Sequence, residues 1–156
     1  EHFFSSYMRN KLGARFHHQN QKNTGPLLIA ACLPGEHHEF GLLLLSLAAH
    51  AHGYRIILLG ADMPLGQLTE VVQRSNSKGI VLSGSVESQT NTLLKELKEL
   101  VLKSSVPVCI GGKISEILQD KIHSTGAHPI GHDLSNGLNA ISKLLPFNST
   151  RSNYYE

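Results

Sequence analysis

The segment Pro34-Gly35-Glu36-His37-His38-Glu39-Phe40-Gly41 packs two imidazoles, two carboxylates and two glycines into eight residues. In an extended loop, residues two apart project to the same side, so Glu36 and His38 could face one another across a short gap. A carboxylate that accepts from one imidazole nitrogen fixes the tautomer and leaves the other nitrogen free and more basic, which suits a metal ligand. His37 points the other way, toward solvent or the rim of a ligand. Glu39 reads as a first-turn carboxylate favoured by a helix dipole. Gly41 removes a side chain where a large flat object could approach. Further on, Ser83-Gly84-Ser85-Val86 is small and hydroxyl-rich, Gly111-Gly112 lacks side chains, and His132-Asp133 is a polar pair. Together they describe a narrow slot floored by backbone, fit for a planar or extended ligand arm and not for a compact phosphate.

Other chemistries lack their residues. There is no G-x-G-x-x-G after the first strand and no G-x-x-x-x-G-K-[ST], and the flanks of Gly111-Gly112-Lys113 match neither. The third strand ends at Ser83 with no aspartate to phosphorylate. His17, His18, His50 and His52 have no carboxylate at useful spacing and read as surface groups. Asp62, before Pro64, reads as an N-cap-like loop residue.

The elements that must position these residues begin with a helix over 2–17, on which Phe4, Met8, Leu12 and Phe16 recur every fourth residue beside Phe3 and Tyr7. Such a stripe must pack on something, and the polar stretch 19–25 offers nothing. Residues 1–25 are therefore expected to be the last helix and linker of a bundle lying outside this chain. From Pro26 the pattern alternates. Strands are predicted at 27–32, 54–59, 79–82, 106–110 and 127–130, and helices at 39–52, 65–76, 90–103, 115–123 and 134–145. That is a doubly wound α/β sheet of five parallel strands, Rossmann-like or flavodoxin-like, over 26–145. Its loops 33–38, 60–64, 83–88, 111–113 and 131–133 share one edge of the sheet. Residues 146–156 read as a flexible polar tail, from which Tyr154 and Tyr155 could dock.

The 156 residues suit one domain, and 40% hydrophobic content suffices for a core. The net charge is +2, and the basic stretch from Lys95 to Lys103 is interrupted by Glu96 and Glu99, a solvated helix face and not a nucleic-acid footprint. Cys32 and Cys109 sit in apolar runs and read as buried free thiols of a reducing compartment, hence a cytoplasmic protein. No apolar run is long enough for a membrane span.

In order and on their loops, Glu36-x-His38-x-x-Gly41, Ser83-x-Ser85 and Gly111-Gly112 resemble the D-x-H-x-x-G … S-x-L … G-G signature of cobalamin-binding domains, over about residues 26–145. The resemblance implies base-off binding, the dimethylbenzimidazole tail leaving cobalt and entering the slot. His38 would then be the lower axial cobalt ligand, oriented by Glu36, with His37 at the rim. Ser83, Ser85 and Val86 would line the tail pocket, Gly111 and Gly112 would make room, and His132 and Asp133 would flank the nucleotide end. Two departures stand out. Glu36 is one methylene longer than the usual Asp, and Ser85 replaces Leu and makes the pocket more polar.

Pro34-Gly35-Glu36-x-His38-Glu39-x-Gly41 followed by Gly60-x-Asp62-x-Pro64 is most similar to MerR-type light-responsive regulators of the CarH and LitR kind. This implies a non-enzymatic sensory domain for adenosylcobalamin, DNA contact through an N-terminal domain outside this chain, and a homo-oligomer when intact. The first helix would help to cap the upper face of the corrin. Two other readings stay open: the corrinoid carrier domain of a methyltransferase or mutase, or the same fold without cobalamin, binding haem or protein only.

Overall fold

A strand of six uncharged residues must be covered on both faces, and Leu27–Cys32 (β1) is one. In the computed structural model, which describes residues 2–85 and 90–148, β1 lies inside a sheet completed by Arg55–Gly60 (β2), Gly79–Ser83 (β3), Val108–Gly111 (β4) and His128–Gly131 (β5). All neighbours are parallel and the order is β2-β1-β3-β4-β5. The chain steps from β1 to β2, then back across β1 to β3. This reversal is the topological switch point of the doubly wound sheet that the sequence predicted.

Alternate strand residues go to opposite layers. Leu28, Ala30 and Cys32 face Phe40–Ala51 (α2), Leu134–Leu144 (α7) and part of His2–Gln19 (α1). Ile29, Ala31 and the following Leu33 face Leu68–Ser75 (α3), Thr90–Lys103 (α4), Lys113–Ile117 (α5) and Gln119–Ser124 (α6). On α4, Leu97 and Leu100 are buried while Lys95, Glu96, Lys98, Glu99 and Lys103 are exposed, the solvated face expected of that stretch. The single helix expected at 115–123 is two short ones, because Leu118 (φ −111°, ψ 25°) leaves the helical region. Both thiols are free and buried.

The stripe on α1 divides. Leu12 and Phe16 are buried in the layer with α2, whereas Phe3, Phe4 and Tyr7 are exposed. The second half of the stripe therefore packs on this domain's own core and not on absent helices. The polar stretch after it is also tied down. The Asn20 side chain donates to the Ile56 carbonyl (2.9 Å) and accepts from the Ile56 N–H (3.0 Å), continuing the ladder at the sheet edge. At the other end, Phe147 packs edge-on against Tyr54, so the chain after α7 starts docked. Tyr154 and Tyr155 lie outside the described residues.

His50 corrects the surface reading of the sequence. It is buried on α2, its ring centroid 4.8 Å from that of Phe16, and its Nε2 has no hydrogen-bond partner among the described residues. Burial, with a smaller push from the Arg15 charge, lowers its pKa. The unfolded chain then binds more protons than the native one below the ordinary histidine value of about 6.5. Stability is full above that pH and is lost as pH falls through it. We predict that the urea midpoint of the native chain drops more between pH 7 and 5 than that of His50→Leu. Parallel curves would remove His50 from the acid response.

Candidate functional site

The loop joining β1 to α2 crosses the carboxyl edge of the sheet at the switch point, and it is fixed there by two carboxylates. Glu36 is only 8% exposed. Its Oε1 accepts the His38 N–H at 2.7 Å, and its Oε2 accepts the Ser85 N–H at 2.7 Å and the Ser85 hydroxyl at 2.5 Å. Burial raises the Glu36 pKa, but the Ser85 hydroxyl, the His38 and Ser85 N–H groups and the nearby His38 ring outweigh it, and the net shift is downward. The group stays ionised because main-chain donors replace its water. The expected pairing of Glu36 with the His38 imidazole is thus corrected: the carboxylate turns back onto the backbone.

Asp62 completes the clasp. Its carboxylate accepts the Gly35 N–H (2.8 Å) and its own N–H donates to the Glu36 carbonyl (2.9 Å), with φ at 47°. The sequence suggested an N-cap-like role, but Asp62 caps no helix among the described residues and instead ties the loop after β2 to the loop after β1. The Cys32 thiol lies 3.9 Å from the His38 carbonyl oxygen. Burial and the charges of Glu39 and Glu36 push that thiol up to about 12, so it stays protonated and can donate. His38 is therefore gripped by its main chain on both sides. Its ring is exposed and takes part in none of the described hydrogen bonds. His37 is exposed beside it.

Next to this loop a cavity of about 110 Å³ opens between α2, the ends of β3, β4 and β5, and the start of α7. It brings together six of the residues singled out from the sequence: Gly41, Ser83, Gly111, Gly112, His132 and Asp133. Leu44, Leu45, Ile130 and Leu134 add an apolar wall, with Gly131 and Gly137, and were not singled out. Leu44 and Leu45 were legible as the i+3 and i+4 neighbours of Gly41 on α2. Glu36, His37, His38 and Ser85 stand on the loops outside the wall. Val86 lies outside the described residues. A larger hollow, about 430 Å³, lies among Val72, Lys78 and Leu145 and contains none of these groups.

The glycines divide by what they make room for. At Gly41 an added Cβ would meet nothing within 4 Å, so its missing side chain leaves open space. At Gly112 (φ +87°) a Cβ would lie 2.3 Å from the Gly84 carbonyl oxygen. Gly112 thus makes room for the neighbouring strand's loop as well as lining the slot. Asp133 spends one oxygen on the Asn136 N–H at 2.9 Å, capping α7. His132 Nδ1 meets the Glu116 carboxylate, which sets the ring orientation at the slot. Glu116 carries no local sequence signal for this role.

Among the described residues no three His, Cys, Asp or Glu side chains come together to hold an ion. A metal bound by side chains alone ordinarily draws several of them. A single free imidazole suits a metal that carries its other ligands with it, and an apolar slot alongside suits an aromatic arm of the same molecule.

The family model described as B12 binding domain matches residues 26–133. The chain is 30% identical over 129 residues to the HTH-type transcriptional repressor CarA of Myxococcus xanthus, covering 81% of this chain and 44% of that protein. It is 27% identical over 86 residues to the methanol–corrinoid protein of Methanosarcina barkeri, covering 53% of this chain and 33% of that protein. The chain thus spans less than half the length of either relative. A cobalamin-binding protein from Desulfitobacterium hafniense DCB-2 shares the fold, with a TM-score of 0.62 at 20% identity over 88% of this chain and 67% of that chain.

The Glu36–Ser85 contact should be measurable as a coupling. We predict that Ser85→Ala costs about 1.5 kcal/mol and Glu36→Ala more, since two N–H groups then lose their acceptor, and that the double variant costs less than the sum. Urea unfolding of the four proteins gives the cycle. Strict additivity would mean that the two loops are not joined through this pair.

Proposed function

The chain belongs to the B12-binding domain family, and on that premise we propose that it is the cobalamin-binding sensory domain of a transcriptional regulator, holding the cofactor base-off with His38 as the lower axial ligand to cobalt. The observation that carries this reading is the His38 ring, exposed and without a hydrogen-bond partner among the described residues, on a main chain gripped from both sides, beside an apolar slot. When bound, adenosylcobalamin supplies a cobalt–carbon bond that light can break. The chain's own residues bind and orient. Gly41 leaves a side-chain-free approach to the loop, and Leu44, Leu45, Ile130 and Leu134 exclude water from the slot. Ser83 and the His132–Glu116 pair offer polar groups to the nucleotide end.

The likeness to CarA extends over more of the chain and at higher identity than that to the methanol–corrinoid protein, which favours a regulator over a methyl-group carrier. On this reading the domain catalyses nothing itself and assembles as a homo-oligomer, while DNA is contacted by a part outside this chain. Two buried free thiols fit a reducing, cytoplasmic setting, and no helix among the described residues is long and apolar enough to cross a membrane. The carrier reading rests on the Methanosarcina relative and makes the same demands on His38 and the slot.

Dark titrations with adenosylcobalamin and hydroxocobalamin, followed by visible absorption, test the site. The native chain should show a base-off spectrum with histidine on cobalt. His38→Ala should lose that signature and bind at least about tenfold more weakly, a difference of about 1.4 kcal/mol. Gly41→Leu should fold at least as well as the native chain, since a helix gains up to about 1 kcal/mol from losing glycine, yet lose binding because the new side chain fills the approach. Absence of any spectral change with either cobalamin in the native chain would sink the reading.

A further inference from the structure

We propose that Arg9 and Glu39 are positioning residues for His38, so that α1 controls whether the imidazole stands where a cobalt ligand must. The inference rests on the cobalamin reading above and adds a part of the chain to it. Glu39 follows His38 directly. At the start of α2 a carboxylate would ordinarily accept a main-chain N–H, but Glu39 makes no such capping bond. Its side chain is 4% exposed, and its Oε1 meets Arg9 Nη1 at 3.2 Å. Arg9 is 35% exposed and comes from α1, thirty residues earlier in the chain.

The fold makes room for this pair. Gly60 ends β2 with φ +92°, and a Cβ there would lie 2.6 Å from Glu39 Oε1 and 2.9 Å from both Cδ and Nη1 of Arg9. A side chain at position 60 would displace the ion pair, and the positive φ there independently favours glycine. A buried carboxylate deprived of its cation must move outward to water or take up a proton. Glu39 is bonded directly to His38, so any backbone shift that accompanies such a move reaches the ligand position.

Three grips thus set the place of His38. Its N–H is held by Glu36 and its carbonyl by the Cys32 thiol, both within β1 and the loop that follows it. The third, through Glu39, comes from α1. The later half of α1 is anchored by Leu12 and Phe16, whereas Phe3, Phe4 and Tyr7 are exposed, and Arg9 lies between the two halves. A displacement of the first half of α1 would reach the cobalt-ligand loop through this ion pair.

The test uses the full chain, labelled with nitrogen-15 in its histidines, and hydroxocobalamin in the dark, with cob(II)alamin as a second probe. An axial nitrogen on Co(II) splits its electron paramagnetic resonance lines into doublets when it belongs to a labelled imidazole and into triplets when it is the cofactor's own base. The doublet is the nitrogen signature read here. The variants are Arg9→Met, Arg9→Lys and Glu39→Asp. Arg9→Met should lower apparent affinity about tenfold, the size of effect seen when a group that orients a metal ligand is removed, and should weaken the nitrogen splitting. Arg9→Lys should restore most of both, and Glu39→Asp, which keeps the charge but shortens the reach, should fall between. If the native chain shows the nitrogen signature and Arg9→Met shows it undiminished, the positioning role is overturned while the cobalamin reading stands. If Arg9→Lys and Glu39→Asp lose the signature as completely as Arg9→Met, the pair serves general folding and the inference is equally overturned. A native chain without the signature overturns the cobalamin reading itself.

Discussion

A carboxylate held at 8% exposure must have its charge met by donors in place of water. For Glu36 those donors come from two different loops, its own at His38 and the one after β3 at Ser85. The strand order places β1 between β2 and β3, so the loops after all three emerge side by side. Asp62 then fastens the third loop to the first. Two carboxylates convert three segments, each unremarkable alone, into one rigid rim. The position of the candidate ligand, the width of the slot mouth and the path of the chain into α2 all depend on that rim.

The two departures from the family signature are a matched pair in the structure. A glutamate at 36 reaches one methylene farther than an aspartate, and a serine at 85 supplies a hydroxyl where the signature has an apolar side chain. Together they make the contact that closes the rim. Without the hydroxyl the buried carboxylate would keep only its main-chain donors, whereas Ser85 is exposed and water can meet its hydroxyl. The polar character of Ser85, expected from the sequence to make the tail pocket more polar, is thus turned toward Glu36.

Strands and helices were legible because apolar runs of four to six residues, punctuated by glycine, leave little freedom in where elements begin. The site's membership was legible for a related reason: the topology sends every loop after a strand to one edge. What each side chain bonds to was not. Spacing put Glu36 and His38 on one side of a loop, but the stronger claim on the carboxylate came from main-chain N–H groups, whose need for an acceptor no residue type reveals. Gly112 was read as space for a ligand when its first neighbour is the Gly84 carbonyl. His50 was misread for want of a carboxylate partner, although Leu42, Leu43, Ser46, Ala49 and His50 follow one helical face and all are buried. Periodicity was the better guide there. The partners of Arg9 lie thirty residues along the chain, a distance at which a sequence pattern says nothing about an ion pair.

The division of the site into a polar rim and an apolar slot has a thermodynamic sense on the proposed reading. Releasing an intramolecular base from cobalt costs free energy that must be recovered in two places, where the base goes and what replaces it. An aromatic group buries roughly 200 Å², and at about 25 cal/mol per Å² the slot can return about 5 kcal/mol. Loss of freedom on binding offsets a large part of that gain. The imidazole returns the rest only if its own ordering has already been met, because immobilising a free loop on binding would consume much of the gain. The buried carboxylates meet that ordering cost in the folding of the chain itself. On the proposed reading the slot and the rim thus share in holding the cofactor, and the rim alone sets how well cobalt is ligated.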